Sequence, residues 1–433
     1  MIKRTLKIAT FTLLLLVVVF VALIIDISPT VERQAHEQVE NAEDVNSLIS
    51  QLRGGLKQRY STQRIDITLN QAESLIGFAQ RALPNLAAEI NLSDGLASIN
   101  MSYKLPSYLF GTHLNISVET ISSESLVVKS VSVGDISLPG AWALSWAESA
   151  ANSYTESEIA TVAISQVSKV TISSNNINVV VNPIDTFLKE LKSIRVSGKD
   201  EMDELLRIKT AHYLRLLIDL KAPANLNADT SLSYYLHHLM KEAKYLSQDP
   251  EGGQLSSATL ENEAAIYALG IYAGHRRFSS LVGDLSFAVG DSTFKQVQPV
   301  LAGRKDLSLH FIFSAVIKLM SQQDISNAVG EFKELMDRGE GGSGYSFVDL
   351  AADMAGANFA ALAVNPHTAL QVQNIMSLDA NELLFFPAID ELEEGMDKTE
   401  FRQKYSNIES DSYKRVVNEI DARIKMLPLG SAP

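Results

Sequence analysis

The stretch VTISSNNINVVVNP, Val170 to Pro183, decides the fold class. Val170 and Ile172 alternate with polar residues, and so do Ile177, Val179 and Val181. Asn175-Asn176 between the two runs supplies turn chemistry, so the stretch predicts a β-hairpin. Beyond Pro183 the two-residue alternation stops and apolar residues recur every three or four positions, the period of a helix. The chain is therefore expected to be α+β: an antiparallel sheet domain with helices, followed by an all-α C-terminal domain.

Working back from the hairpin, residues 61–183 read as β-rich. Ile65, Ile67 and Leu69 alternate with polar neighbours, as do Ile99, Met101, Tyr103 and Leu105, and Leu114, Ile116 and Val118. From Leu126 to Val133 the phase of alternation shifts by one residue, which predicts a β-bulge. Strict alternation means one wet face and one covered face. Asn70 with Glu73 has the spacing of a capping box, opening a helix whose apolar face is Leu75, Ile76, Ala79, Ala82 and Leu83, with Pro84 as its stop.

Residues 29–60 are polar and helix-prone, broken by Gly54-Gly55, and read as a helical stalk. Before them, Ile8 to Ile25 are 18 consecutive uncharged, mostly apolar residues. At about 1.5 Å per residue such a run reaches across a hydrocarbon core of about 30 Å. Lys3, Arg4 and Lys7 precede it and Asp26 follows, so the N-terminus is expected in the cytoplasm and the bulk of the chain outside it, in the periplasm. The segment lacks the small-residue cleavage pattern of a signal peptide. The expected organisation is thus a transmembrane anchor over 1–28, a stalk over 29–60, a β-rich α+β domain over 61–183 and a helical domain over 184–433, at the inner membrane.

Downstream of Pro183, Leu205, Ile208, Ala211, Leu214 and Leu217 are spaced for one helix face. Further helices are expected over Tyr234–Ala243, Leu260–Ala273, Leu307–Met320, Ile325–Asp337, Val348–Val364 and Tyr413–Met426. The formal net charge of −14 excludes the basic footprint that nucleic acid requires. With no cysteine, disulfides, thiolate catalysis and cysteine-ligated metals are excluded.

Three of the expected helices each carry a polar pair one turn apart: Asp306 and His310, Glu334 and Asp337, Asp349 and Asp353. Such pairs share a helix face. Ionised groups among apolar neighbours such as Phe311, Val316 and Ala352 are costly unless paired. A convergent cluster is one way to pair them, and a histidine with several carboxylates suits general acid–base work or an N/O metal site. His310, Glu334, Asp349 and Asp353 are the candidate catalytic residues. Asp306, Lys333, Asp337, Ser343 and Ser346 are candidate binding residues, with Ser346 placed to cap the third helix. No cofactor or metal is specified by any motif. Residue by residue, the plainer reading is structural: a satisfied histidine, a solvated Glu334, and Asp349 favoured by the helix dipole. His237-His238, and Glu263 with His275, are weaker candidates.

The segment Arg304 to Phe359, RKDLSLHFIFSAVIK…GEFKELMDRGEGGSGYSFVDLAADMAGANF, resembles the YfiM-like envelope lipoproteins and, more distantly, the VanZ-like membrane proteins. The matching residues are Asp306, His310, Lys333, Glu334, Asp337, Ser346, Asp349, Asp353 and Gly356. The resemblance implies work in the cell envelope without naming a reaction, and this chain lacks a lipoprotein cysteine. More loosely, the apolar run and the β-rich segment ending in VGDISLPG look like the YpmS-like membrane-anchored proteins. Two functions fit the pattern. One is a membrane-anchored envelope protein that binds or scaffolds a lipid, glycan or protein. The other is an envelope hydrolase-like enzyme working through the His/Glu/Asp cluster.

Overall fold

The computed structural model describes residues 23–32, 58–83, 85–106, 111–193, 201–220, 230–248, 257–274, 278–282, 297–320, 344–408 and 410–430, with a few isolated positions between them. It is a mixed α/β chain with antiparallel sheets and a helical C-terminal region. The chain divides into two compact units, Met1–Gly198 and Lys199–Pro433.

In the first unit, β1 (Ile25–Asp26), β2 (Gln63–Thr68), α1 (Leu69–Ala82), β3 (Leu86–Ser93), β4 (Leu96–Lys104), β5 (His113–Ile121), β6 (Val128–Val133), β7 (Ile136–Pro139), α2 (Gly140–Thr155), α3 (Ile159–Gln166), β8 (Val167–Ile172), β9 (Asn176–Val181) and α4 (Asp185–Ser193) follow in order. The hairpin at Val170–Val181 forms in antiparallel register, Ile172 opposite Ile177 and Val170 opposite Val179, and β2 adds on the far side of β9. Strands β3 to β7 make an antiparallel meander, and β1 pairs with β5 beside it. The bulge expected within 126–133 is present: opposite Glu119 and Thr120 the register passes from Ser130 to Val128, leaving Lys129 as the extra residue. An antiparallel bridge between Ser123 and Val170 ties the two sheets together. A small core of Ala97, Val170 and Ile172 lies beneath it, ringed by Leu92, Leu126, Val167 and Ile177.

Two expectations here are corrected. The cap of α1 is Thr68, not Asn70: its Oγ1 accepts from Gln71 N at 3.2 Å, and Gln71 Oε1 accepts from Thr68 N at 2.9 Å. The box has the expected chemistry two residues earlier, because Thr68 ends the strand with extended backbone while Asn70 already lies inside the helix. The face of α1 turned inward is also different. Gln71, Ala72, Ser74 and Gln80 are buried, while Leu75 and Leu83 are exposed. Small and amide side chains pack there because Gln80 Oε1 reaches the backbone N–H of Ala88 on β3, at 3.1 Å.

The apolar run lies outside the described residues as far as residue 22. Its end belongs to the sheet: Ile25 sits opposite Leu114 and Asp26 opposite His113. Residues 29–32, expected to open the stalk, lie on the same sheet. Asn115 Nδ2 donates to Asp26 Oδ2 at 2.7 Å and Ser102 Oγ to Asn115 Oδ1 at 2.6 Å, while the Thr30 and Val31 amides donate to Ser102 Oγ at 3.0 and 3.1 Å.

The second unit is helical: α5 (Glu201–Asp219), α6 (Leu232–Gln248), α7 (Ala258–Leu269), α8 (Lys305–Met320), α9 (Phe347–Val364), α10 (Ala369–Met376), α11 (Lys398–Tyr405) and α12 (Asp411–Lys425). The expected face of α5 holds in its second half, where Ala211, Leu214 and Leu217 are buried together with Thr210 and Tyr213; at its start Leu205 and Ile208 are exposed. The expected helix over Ile325–Asp337 lies outside the described residues. Helix α7 continues into one π-helical turn, Gly270–Gly274, where α8 comes close: a Cβ on Gly270 would stand 2.7 Å from Val316 Cγ2. Among the described helices α9 alone is long and apolar enough to cross a membrane, but 78% of it is buried, so it is the core helix of this unit.

Candidate functional site

Helices α8 and α9 bring the candidate residues together. The stripe Ala352, Gly356 and Ala360 removes side-chain bulk from α9, and a Cβ on Gly356 would stand 2.1 Å from the Phe311 carbonyl oxygen. Backbone is therefore set against side-chain-free backbone, and His310 and Ser314 on α8 reach Asp353 on α9. His310 Nδ1 lies 3.1 Å from Asp353 Oδ1, and Ser314 Oγ donates to the same oxygen at 2.7 Å. His310 Nε2 lies 3.7 Å from Asp349 Oδ2. The His310, Asp349 and Asp353 side chains are only 11%, 12% and 5% exposed, so the contacts are made largely out of water.

The N-terminus of α9 is fixed locally. Ser346 is its N-cap and accepts from Asp349 N at 3.0 Å, which places the Asp349 carboxyl in the first turn, where the helix dipole favours it. Tyr345, just before the cap, is buried against Phe347, Phe401 and Tyr413, with its hydroxyl 2.8 Å from that of Tyr413. Packing of this aromatic group holds the start of α9 and hence the position of Asp349.

One cation joins the cluster that sequence reasoning did not assign. A tight turn, with Leu301 and Arg304 exchanging backbone hydrogen bonds and both Ala302 and Gly303 at positive φ, launches α8. It delivers Arg304 onto Asp306 through two hydrogen bonds, at 3.2 and 2.6 Å, onto Glu394 at 2.6 Å, and to within 3.5 Å of Asp349. The hydrogen bonds from Arg304 hold the Asp306 carboxyl below its ordinary range. Asp306 itself is half exposed, and it orients Arg304 within the cluster. Two signals could have found the missed partners: Ser314 is four residues after His310, on the same helix face, and Arg304 precedes Asp306 by two.

No family model, curated protein or solved structure matches this chain.

Of the other candidates, Glu334, Lys333, Asp337 and Ser343 lie outside the described residues. His237 and His238 are structural: His237 Nδ1 lies 3.0 Å from the Met376 carbonyl oxygen and His238 Nδ1 2.8 Å from that of Tyr234. Among the described residues no group of three or more His, Asp or Glu is placed to hold a metal ion. What the cluster does hold is a directional chain, Arg304–Asp349–His310–Asp353–Ser314. Contact of Asp353 with Nδ1 orients the ring and sets which nitrogen carries the hydrogen. That arrangement can fix two helices together or present Nε2 as an oriented base.

A separate concavity of 260 Å³ lies on the first unit, walled by Val31, Leu86 and Ala87, with Lys104 and His113 at its sides.

Proposed function

We propose that the chain is a membrane-anchored cell-envelope protein that binds or scaffolds an envelope component, with the His310 cluster acting as a buried polar clamp. The observation that carries this reading is that His310 is spent on its neighbours, with one ring nitrogen on Asp353 and the other facing Asp349, all three mostly buried. The uncharged run Ile8–Ile25 supports anchoring. The likeness of Arg304–Phe359 to envelope families supports the compartment, and the apolar concavity of the first unit offers a place for a lipid or glycan.

A hydrolase-like role is favoured by one specific observation. Asp353 Oδ2 is buried with no hydrogen-bond partner among the described residues, and the 3.7 Å between His310 Nε2 and Asp349 is longer than a hydrogen bond. In that reading His310 is the acid–base group and Asp353 orients it.

His310→Leu separates the two. As a clamp, its loss removes one of the two contacts on the buried Asp353 Oδ1, leaving Ser314 alone there, and lowers unfolding stability by about 1–3 kcal/mol in urea titrations of the full chain. A fold of unchanged stability, together with metal in the wild-type protein that the variant fails to retain, would reject the clamp and favour the enzyme.

A further inference from the structure

The concavity of the first unit is built on one face of the meander. Directly opposed residues in a sheet put their side chains on the same face. Asp26, His113 and Lys104 are opposed across β1, β5 and β4. Two residues along, Asn115, Ser102 and Ala87 are opposed across β5, β4 and β3. All six therefore share a face. Pro29 to Glu32 cross it, since the amides of Thr30 and Val31 both donate to Ser102 Oγ. The concavity of 260 Å³ lies between this crossing segment and the strands, with Pro29, Val31 and Glu32 on one side and Ala87, Lys104 and His113 on the other.

The polar groups of this face fall into two sets. Ser102 Oγ donates to Asn115 Oδ1 at 2.6 Å and Asn115 Nδ2 donates to Asp26 Oδ2 at 2.7 Å, so these three satisfy one another. Lys104 and His113 stand outside that network. Among the described residues the Lys104 ammonium has no ion pair, and His113 Nδ1 is shut off from solvent with no hydrogen-bond partner. A hydrogen on that nitrogen would be an unmade buried donor, so the neutral ring keeps Nε2–H as its donor. The two residues are direct cross-strand neighbours, with Cβ atoms about 5 Å apart. Beside them are Val31, 4% exposed, and Ala87, 9% exposed. Paired donors next to apolar surface suit a ligand with an anionic head and an apolar body. Glu32 lines the same concavity and opposes a second negative charge on that head. The volume is just below the roughly 300 Å³ at which ligand pockets begin, so it takes a short chain or the end of a longer one.

We propose that this concavity binds the carboxylate end of an acyl chain, its single charge held by Lys104 and His113 and its nearest methylenes set against Val31 and Ala87. This rests on the reading above that the chain binds an envelope component, and it names that component as a monoanionic lipid. A glycan would need polar partners where Pro29, Val31 and Ala87 stand.

The test is equilibrium dialysis of radiolabelled octanoate against the full chain in phosphatidylcholine vesicles, with protein-free vesicles as the blank. The expected result is one octanoate per chain above the blank. Affinity should rise about fourfold per methylene from butanoate to octanoate, as burial of each CH₂ requires. Lys104→Met should weaken octanoate about tenfold, the loss of one charge-assisted hydrogen bond. Lys104 is exposed, so this variant should unfold at the wild-type midpoint. Octanol and octyl phosphate should each bind about tenfold more weakly than octanoate. Octanol bound as tightly as octanoate, or octanoate bound as tightly by Lys104→Met, would overturn the carboxylate assignment. Maltotriose retained where octanoate is not would overturn the proposal and leave the binding reading standing. Protein that retains neither would overturn the proposal and remove the concavity from that reading. Flotation of the vesicles scores anchoring separately, so a chain that binds octanoate without floating upholds the proposal and rejects the anchor.

Discussion

The two units differ in what they bury and which rings they expose. The helical unit hides charge: Glu261, fully buried, accepts from Tyr213 Oη at 2.7 Å and from Lys209 Nζ at 2.5 Å, and Asp349 and Asp353 sit between α8 and α9. Exposed aliphatic side chains occur in both units, but the sheet unit has no buried acid among its described residues and carries both tryptophans, Trp142 and Trp146, in solvent. Burying a carboxyl group is tolerable where each oxygen finds a donor, and then it fixes geometry, because no other arrangement satisfies the group. An exposed ring fixes nothing inside the molecule. Buried charge therefore points to internal precision and exposed tryptophan to external contact.

The sharpest way to break this contrast is Glu261→Ala. It leaves the Lys209 ammonium and the Tyr213 hydroxyl without their partner, and should cost about 3–5 kcal/mol in urea unfolding followed by circular dichroism. Burial already holds the Tyr213 hydroxyl well above its ordinary pKa. Glu261→Leu with Lys209→Met removes both charges together and should recover most of the loss. A single variant within about 0.5 kcal/mol of wild type would mean that the buried charge is ornamental and the contrast empty.

The next effect is steric. Gly356→Ala drives a methyl group into the Phe311 carbonyl and should cost about 1–3 kcal/mol, read as a lower thermal midpoint, by prying α8 from α9 and separating His310 from Asp353. No drop would show that the helices have room and that the His310–Asp353 contact does not depend on close approach.

Much of this was legible in the chain itself, and the exceptions share a cause. The β8–β9 hairpin, the bulge at Lys129, the Ser346 cap and the Ala352–Gly356–Ala360 stripe could be read because alternation, phase and spacing are local properties. So could the meeting of His310 with Asp353, since each lies on a long apolar helix. The inward face of α1 and the first turns of α5 could not: α1 packs through Gln71, Ser74 and Gln80, where a hydrophobic pattern points to the wrong side, and in α5 the apolar pattern finds Ala211, Leu214 and Leu217 but wrongly includes Leu205 and Ile208. Helices α2 and α3 were passed over within a β-rich stretch because neither is amphipathic, and a helix that faces outward with apolar side chains has no polar stripe to reveal it. Arg304 was missed because its role depends on a turn and on Glu394, ninety residues later.

The smallest expected effect concerns that arginine. Asp306 bonded to Arg304 titrates below its ordinary value, so its contribution to stability is present above that ordinary value and is lost as pH falls toward the folded one. Arg304→Gln should therefore raise the midpoint of acid unfolding. The pair is about half exposed on the Asp306 side, so the change at neutral pH should stay within about 0.5 kcal/mol. A loss as large as that of Glu261→Ala would show that exposure does not separate the two cases.

The pairing of β1 with β5 has a consequence in time. Asp26 and Asn115, joined side chain to side chain, are 89 residues apart. At a synthesis rate of about 5–20 residues per second, the first of them waits roughly 4–18 s for the second to be made. Throughout that interval Ile25 and Asp26 have no strand to join, so under the anchoring proposed above the apolar run would enter the membrane before β1 pairs. Once β5 folds, the chain just past the run is drawn into register with Leu114 and His113. Insertion would then come first and orientation second, with Asn115 as the residue that ends the freedom of one to rotate against the other.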